Sequence, residues 1–205
     1  MVAMSKARLR SELIAARRAV ADDVRRAESE QLCDHLAAAV GDATVVCAYV
    51  PMGTEPGSVE ILEELSRLCA TVLLPVARTG PDGEHLPLHW GRYEPGRLSP
   101  GRFGAYEPVG PLLPPSTLAT ADVILIPALA VDRRGIRLGR GGGFYDRSLS
   151  LSAAGARRIA IVRDSEVLEE VPGEPHDVAM THALTPGGGL QALGTARCGD
   201  GGAGT

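Results

Sequence analysis

The chain has 205 residues, 44% of them hydrophobic and 22% charged, the composition of a globular protein with one core of ordinary size. Its formal net charge of −4 argues against a mainly electrostatic nucleic-acid binder, and 3% aromatic residues are few for a base-stacking surface. The longest apolar run, Val123 to Val131, is interrupted by Pro127 and is far shorter than the roughly 20 residues of a membrane span. Lys6, Arg8, Arg10 and Glu12 come too early for the apolar stretch of a signal peptide. Cys33, Cys47, Cys69 and Cys198 form no C-x-x-C pair, the usage expected of reduced thiols in a cytoplasmic protein.

The predicted elements follow in chain order. Leu9, Leu13, Ala16 and Val20 share one face of a helix over residues 5–20, with Arg8, Arg10, Arg17 and Arg18 around it. A second helix is expected from Asp22 to Val40, with Asp22 or Asp23 as N-cap and Gly41 at its end. Thr44 to Val50 is a nearly continuous β-branched run, the pattern of a strand buried on both faces, and Pro51 and Gly53 end it. Ser58 to Leu68 regains helical spacing through Val59, Leu62, Leu65 and Leu68, with Ser58 as cap and Glu60 in the first turn.

Val72 to Pro75 reads as a second buried strand. Thr79 to Glu84 is turn chemistry, leading into a hairpin-like excursion through Leu86 to Trp90. Residues 91–120, dense in proline and glycine, read as an irregular loop. Val123 to Ile126 and Arg158 to Val162 are the third and fourth strands, with a glycine-rich loop and a helix from Phe144 to Ser152 between them. Residues 1–194 are then a single domain and 195–205 a disordered tail. Helices alternating with short apolar strands predict an α/β fold with a mostly parallel sheet.

Five segments carry candidate chemistry. In Arg137-Leu138-Gly139-Arg140-Gly141-Gly142-Gly143-Phe144-Tyr145-Asp146, four of five consecutive residues are glycine. Such a loop lets a ligand approach the backbone, and successive N–H groups followed by a helix start make an anion cradle. Arg137 and Arg140 can add charge-assisted bonds to phosphate, and Asp146 can hold Mg²⁺. The run matches neither G-x-x-x-x-G-K-[ST] nor G-x-G-x-x-G. Lys6 and Arg10 are i,i+4 neighbours that can grip a polyphosphate together, or simply form a solvated helix face.

Glu55 lies just past a strand end, where open α/β sheets place ligands, and can accept from the N–H groups of a heterocycle or be an ordinary loop acid. Phe103 and Tyr106 wall a flat ligand's pocket or pin their loop to the core. His176 and Asp177 follow a proline-bounded turn, and Asp177 is a possible second carboxylate for the metal. No G-x-S-x-G nucleophile elbow is present, and the remaining histidines form no ligand pattern.

In this order the segments resemble the 5-formyltetrahydrofolate cyclo-ligase family, from Lys6 to about Thr185. The block Pro127 to Arg147 carries the resemblance most specifically; the helix with Lys6 and Arg10, the strand followed by Glu55, Phe103 to Pro108 and Val171 to Asp177 add order. The resemblance implies a three-layer α/β/α sandwich and an enzyme that uses ATP and Mg²⁺ to convert 5-formyltetrahydrofolate to 5,10-methenyltetrahydrofolate, with ADP and phosphate released. It implies that Lys6, Arg10 and the run Arg137, Leu138, Gly139, Arg140, Gly141, Gly142, Gly143, Phe144 and Tyr145 bind ATP. Val50, Glu55, Phe103 and Tyr106 would meet the folate, and Asp146 and Asp177 the Mg²⁺.

Many members have Tyr-Tyr-Asp where this chain has Phe144-Tyr145-Asp146, and some carry a lysine where it has Gly142. The expected partners are small molecules, with no nucleic acid or membrane, in a monomer or weak homodimer. The rival readings are a phosphate-binding isomerase or kinase on a similar scaffold, or a non-catalytic nucleotide-binding regulator.

Overall fold

A computed structural model describes residues 5–174 and 177–194 of the chain. His176, Cys198 and the tail expected over 195–205 lie outside the described residues. In chain order the elements are α1 (Lys6–Ala19), α2 (Asp22–Val40), β1 (Val45–Cys47), α3 (Glu60–Leu68), β2 (Thr71–Val76), β3 (His89–Arg92), β4 (Leu98–Pro100) and β5 (Tyr106–Pro108). After them come β6 (Val123–Pro127), β7 (Ala130–Asp132), β8 (Arg137–Leu138), α4 (Phe144–Ser148), β9 (Arg157–Ile161), β10 (Val167–Leu168), β11 (His182–Thr185) and β12 (Gly189–Ala192).

Seven strands make the central sheet in the order β12-β11-β9-β6-β1-β2-β3. The five inner strands are mutually parallel, and β3 and β12 close the edges antiparallel. Each inner strand alternates its side chains between two cores. Val46, Val72, Leu74, Val123, Leu125, Ile159 and Ile161 face α2 and α3, packing with Leu32, Leu36, Leu62 and Leu65. Cys47, Leu73, Ile124, Ile126 and Ala160 face the other way, toward Leu118 and Leu149 of two short 3₁₀ turns. Burial on both faces is why these strands read as unbroken apolar runs. The result is an α/β fold whose mostly parallel sheet lies between helical layers. Among the described residues no helix is long and apolar enough to cross a membrane.

Several details depart from the sequence-based expectations. The segment 91–120 is not one irregular loop: it contains the β4–β5 hairpin and a 3₁₀ turn over Pro115–Thr120. Proline and glycine hid these strands because they are short and half exposed, so no apolar period marks them. The strands β11 and β12, and the small sheet β10-β7-β8, were likewise not anticipated. The first strand is shorter than Thr44 to Val50, since Ala48 to Val50 already lead toward the ligand-facing loops. The helix expected over 144–152 stops at Ser148 and continues as a 3₁₀ turn, Leu149–Leu151. Ala21, not Asp22 or Asp23, is the N-cap of α2, and both acids sit in its first turn instead. Val59 occupies the N-cap position of α3, while Ser58 hydrogen-bonds Ser29.

Arg17, one of the arginines expected around the first helix, is 1% exposed. Its Nε and Nη2 donate to the two carboxylate oxygens of Glu166 at 2.7 Å each, and Nη2 also donates to the Ala128 carbonyl at 2.5 Å. Glu166 further accepts the Arg163 amide at 2.8 Å, and the Arg163 side chain clasps Glu28 and the Thr54 carbonyl. Breaking a buried pair leaves an uncompensated charge, whereas replacing both partners by apolar groups does not. Glu166→Ala should therefore lower stability by about 3–5 kcal/mol in urea unfolding, and Arg17→Met combined with Glu166→Leu should recover much of that loss.

Candidate active site

The chain leaves β1 for β2 on one side and later enters β6, β9 and β11 on the other, so the order of strands reverses between β1 and β6. Open α/β sheets bind ligands at the carboxyl ends of strands at such a point. A cavity of about 360 Å³ lies there, against Tyr49 and Val50 after β1, Pro75 and Ala77 at the end of β2, and Pro127 and Ala128 at the end of β6.

One wall is the glycine-rich loop. It needs glycine at two positions: Gly141 has φ 104° and Gly143 φ 70°, where a side chain is strained. Among the described residues no acceptor takes the amides of Gly139 to Gly143, which leaves five donors in succession. Such a row is what a phosphate chain requires. The helix after the loop adds little, since α4 has only five residues. The loop is instead held from three sides by side chains. Arg10 Nε donates to the Gly139 carbonyl at 2.9 Å, which brings α1 against it. His85 Nδ1 is 2.6 Å from the Gly142 carbonyl, and its ring stacks on Phe144 at 4.1 Å. Phe103 meets both rings edge-on.

The structure thus brings Arg10, Arg137, Arg140, Phe103, Tyr106, Phe144, Tyr145, Asp146, Val50 and Glu55 to one place. Lys6 is engaged next to it: its ammonium pairs with Glu174 at 2.9 Å and Asp177 at 3.6 Å. Leu138 is buried in the small core beneath α1 and offers its neighbourhood only backbone. Sequence reasoning missed His85, Tyr49 and Arg102, which also line the cavity. The signal for His85 was weak, because its partners are a backbone carbonyl 57 residues away and two rings.

The charged groups are mostly paired. Arg137, 6% exposed at its side chain, bonds Asp146 and lies over the Tyr145 ring, 5.7 Å from its centroid. Burial lowers the Arg137 pKa, and Asp146 and Asp177 oppose that shift, so both acids flank the same guanidinium. Asp146 itself is 44% exposed, while Asp177 accepts the Glu174 amide at 2.7 Å. Among the described residues no cluster of three or more His, Cys, Asp or Glu exists that could cage a metal. Asp146 pairs with Arg137, and Asp177 lies 3.6 Å from the Lys6 ammonium.

Glu55, far in sequence from the glycine-rich loop, lies next to it in space. Its Oε1 lies 3.1 Å from Arg140 Nε, and its Oε2 accepts the Met52 amide at 2.9 Å. Its side chain is 8% exposed. Burial raises the carboxyl pKa, and the Met52 amide, Arg140 and Arg17 offset this only in part.

A carboxyl whose folded pKa lies above its unfolded value adds no penalty while protonated in both states. Stability is then lost as pH rises through the folded pKa. Glu55→Gln should accordingly raise the midpoint of thermal unfolding at pH 8 and leave it nearly unchanged at pH 4.

The fold and site are those of an α/β protein with a glycine-rich loop beside a partly apolar cavity at the carboxyl ends of its parallel strands. The 5-formyltetrahydrofolate cyclo-ligase family model matches residues 2–186, and the chain belongs to that family. It is 56% identical over 189 residues to the 5-formyltetrahydrofolate cyclo-ligase of Mycolicibacterium smegmatis, covering 92% of this chain and 97% of that one. The enzyme of the same name from Escherichia coli is 31% identical over 148 residues, 70% of this chain and 79% of its own. The solved 5,10-methenyltetrahydrofolate synthetase of Aquifex aeolicus superposes with a TM-score of 0.75 at 26% identity, over 93% of both chains. The chain is thus a ligase of folate one-carbon metabolism.

Proposed function

We propose that this cavity carries out the ATP-dependent cyclisation of 5-formyltetrahydrofolate to 5,10-methenyltetrahydrofolate. The observation that carries this reading is the pairing of two unlike walls: five unengaged amides with Arg137 and Arg140 on one side, and the buried Glu55 amid Tyr49, Val50, Pro75 and Pro127 on the other. The first suits a triphosphate and the second a heterocycle that offers N–H groups.

A formamide oxygen is a poor leaving group. Breaking the terminal P–O bond of ATP and forming a new one to the formyl oxygen releases ADP and makes the formyl carbon electrophilic. The N10 lone pair then forms the C–N bond. The C–O bond breaks as the N5 lone pair expels phosphate, and the N10 proton leaves to solvent. No enzyme nucleophile is needed, so the work is positioning and charge neutralisation.

Gly139 to Tyr145 would hold the phosphates by their backbone, with Arg10 and Lys6 bracing the loop and its flank. Arg140, 48% exposed and tied to Glu55, is placed to face both ligands. Phe103 and Tyr106, each 53% exposed, would close over the ring system. Asp146 and Asp177 would hold Mg²⁺, which would neutralise the phosphate oxygens. Beside Gly142, which has no side chain, the rings of Phe144 and His85 fill that part of the wall. Small-molecule substrates fit the family; a cytoplasmic location and a monomer or weak homodimer go with this reading.

Purified protein with ATP, Mg²⁺ and 5-formyltetrahydrofolate should develop the methenyl absorbance, and no product without ATP. Sustained turnover without nucleotide would favour an isomerase, and ATP binding without product a regulator. Gly141→Val should weaken ATP binding by roughly tenfold or more in calorimetry while circular dichroism stays that of the folded protein. Wild-type affinity in that variant would remove the loop from the phosphate site. Asp146→Asn should cut turnover strongly at low Mg²⁺ and regain part of it at high Mg²⁺. Full activity at low Mg²⁺ would leave Asp146 only its bond to Arg137.

A further inference from the structure

Four glycines in five residues give the loop a backbone that would scatter its amides unless something held it. Three of its carbonyls are held by side chains. Arg10 takes that of Gly139, His85 that of Gly142 and Arg147 that of Gly143, the last at 3.0 Å. Arg10 and Arg147 belong to α1 and α4, which border the loop. His85 comes instead from the excursion between β2 and β3, 57 residues away.

That excursion is itself fixed. Thr79 and His85 face each other in an isolated antiparallel bridge. The Leu86 amide donates to the Arg78 carbonyl at 3.0 Å, and the Gly80 amide to the Glu84 carbonyl at 2.9 Å. Farther on, the Leu88 amide donates to Ser148 Oγ at 2.8 Å, and Ser148 Oγ donates to the Phe144 carbonyl at 2.7 Å. The excursion is thus tied to α4 at a second point, just past the loop. The His85 ring is oriented by Phe144, whose plane lies 15° from its own, and by Phe103 edge-on.

A carbonyl oxygen only accepts, so His85 Nδ1 carries the proton in this contact. In a trans peptide the C=O and the next N–H point opposite ways. A donor that holds the Gly142 carbonyl therefore also holds the Gly143 N–H, turned away from the imidazole and without an acceptor among the described residues. We propose that His85 is a positioning residue of the phosphate site: its Nδ1–H fixes the peptide between Gly142 and Gly143, so that the amides are in place before a triphosphate arrives. This rests on the reading of the loop as the phosphate site. Donors already in place bind an anion without the ordering cost that a free glycine loop incurs.

The test compares substitutions of His85 in the full chain. His85→Phe keeps a ring against Phe144 and loses the donor. His85→Asn can set an amide nitrogen near the place of Nδ1, and His85→Gln near that of Nε2. Each is titrated by calorimetry with ATP and with inorganic triphosphate, and unfolded in urea without ligand. His85→Phe should weaken both ligands roughly tenfold, about the effect of one lost hydrogen bond, with a urea midpoint near that of wild type. His85→Asn should recover most of that affinity, and His85→Gln should not. Unchanged ATP affinity in His85→Phe would overturn the proposal, whatever happens to its stability. A loss for ATP but not for triphosphate would place His85 against the base and overturn it too. Recovery by His85→Gln alone would make Nε2 a ligand contact, with the same consequence. If the wild-type protein itself bound no ATP, the functional reading would fall, and that result appears before any variant is made.

Discussion

Arg17 lies between α1 and the carboxyl end of the sheet, with one guanidinium shared between the Glu166 carboxylate and the Ala128 carbonyl. Besides that contact, α1 rests on the small core around Leu129, Leu138 and Val171 through Leu9, Leu13 and Ile14, and on the polar contacts of Arg10 and Lys6. Arg10 is two turns before Arg17 on the same helix, and Lys6 a turn earlier still. The position of both cations therefore follows from where Arg17 is fixed. Glu166 also orders Arg163, and Arg163 holds the Thr54 carbonyl next to Glu55. A single buried carboxylate is thus connected to both walls of the cavity. A lone buried charge would cost several kcal/mol, so the network is stable only when complete.

Polarity is divided across the cavity in a way that matches two unlike ligands. The loop contributes amides that have no acceptor among the described residues, and Gly141 and Gly143 in it have φ 104° and 70°. The floor contributes strand-end apolar residues and a few buried polar atoms. Glu55 and Arg140 join the two regions at 3.1 Å, so the charge that desolvation penalises on one wall is balanced from the other. Phe103, at φ 59° and half exposed, is held in a sparsely populated backbone region beside His85 and Phe144. Strain of that kind, at a residue that lines a cavity, belongs with ligand contact more than with core packing.

The four buried strands, the three long-period helical segments and the glycine loop were legible in the sequence. Their signals are local: an apolar run, a 3.6-residue period, a cluster of glycines. The order of motifs from Lys6 to Asp177 also sufficed to indicate the family. What the sequence did not disclose were short strands such as β4, β5, β10 and β12, whose residues are half exposed and whose pairing partners supply most of the pattern.

Charge alone could not tell Arg17 from Arg18. Both flank the same helix in sequence, yet Arg17 is buried against Glu166, 149 residues away. Likewise Glu55 and Arg140 are 85 positions apart, and only the reversal of strand order between β1 and β6 brings their loops together. The sequence by itself determined which segments are strand, helix and phosphate-type loop, since those depend on neighbours within a few residues. The tertiary structure alone decided which charges are paired and that the Glu55 carboxyl is buried. Desolvation and hydrogen bonding there depend on atoms that approach only when the sheet is assembled.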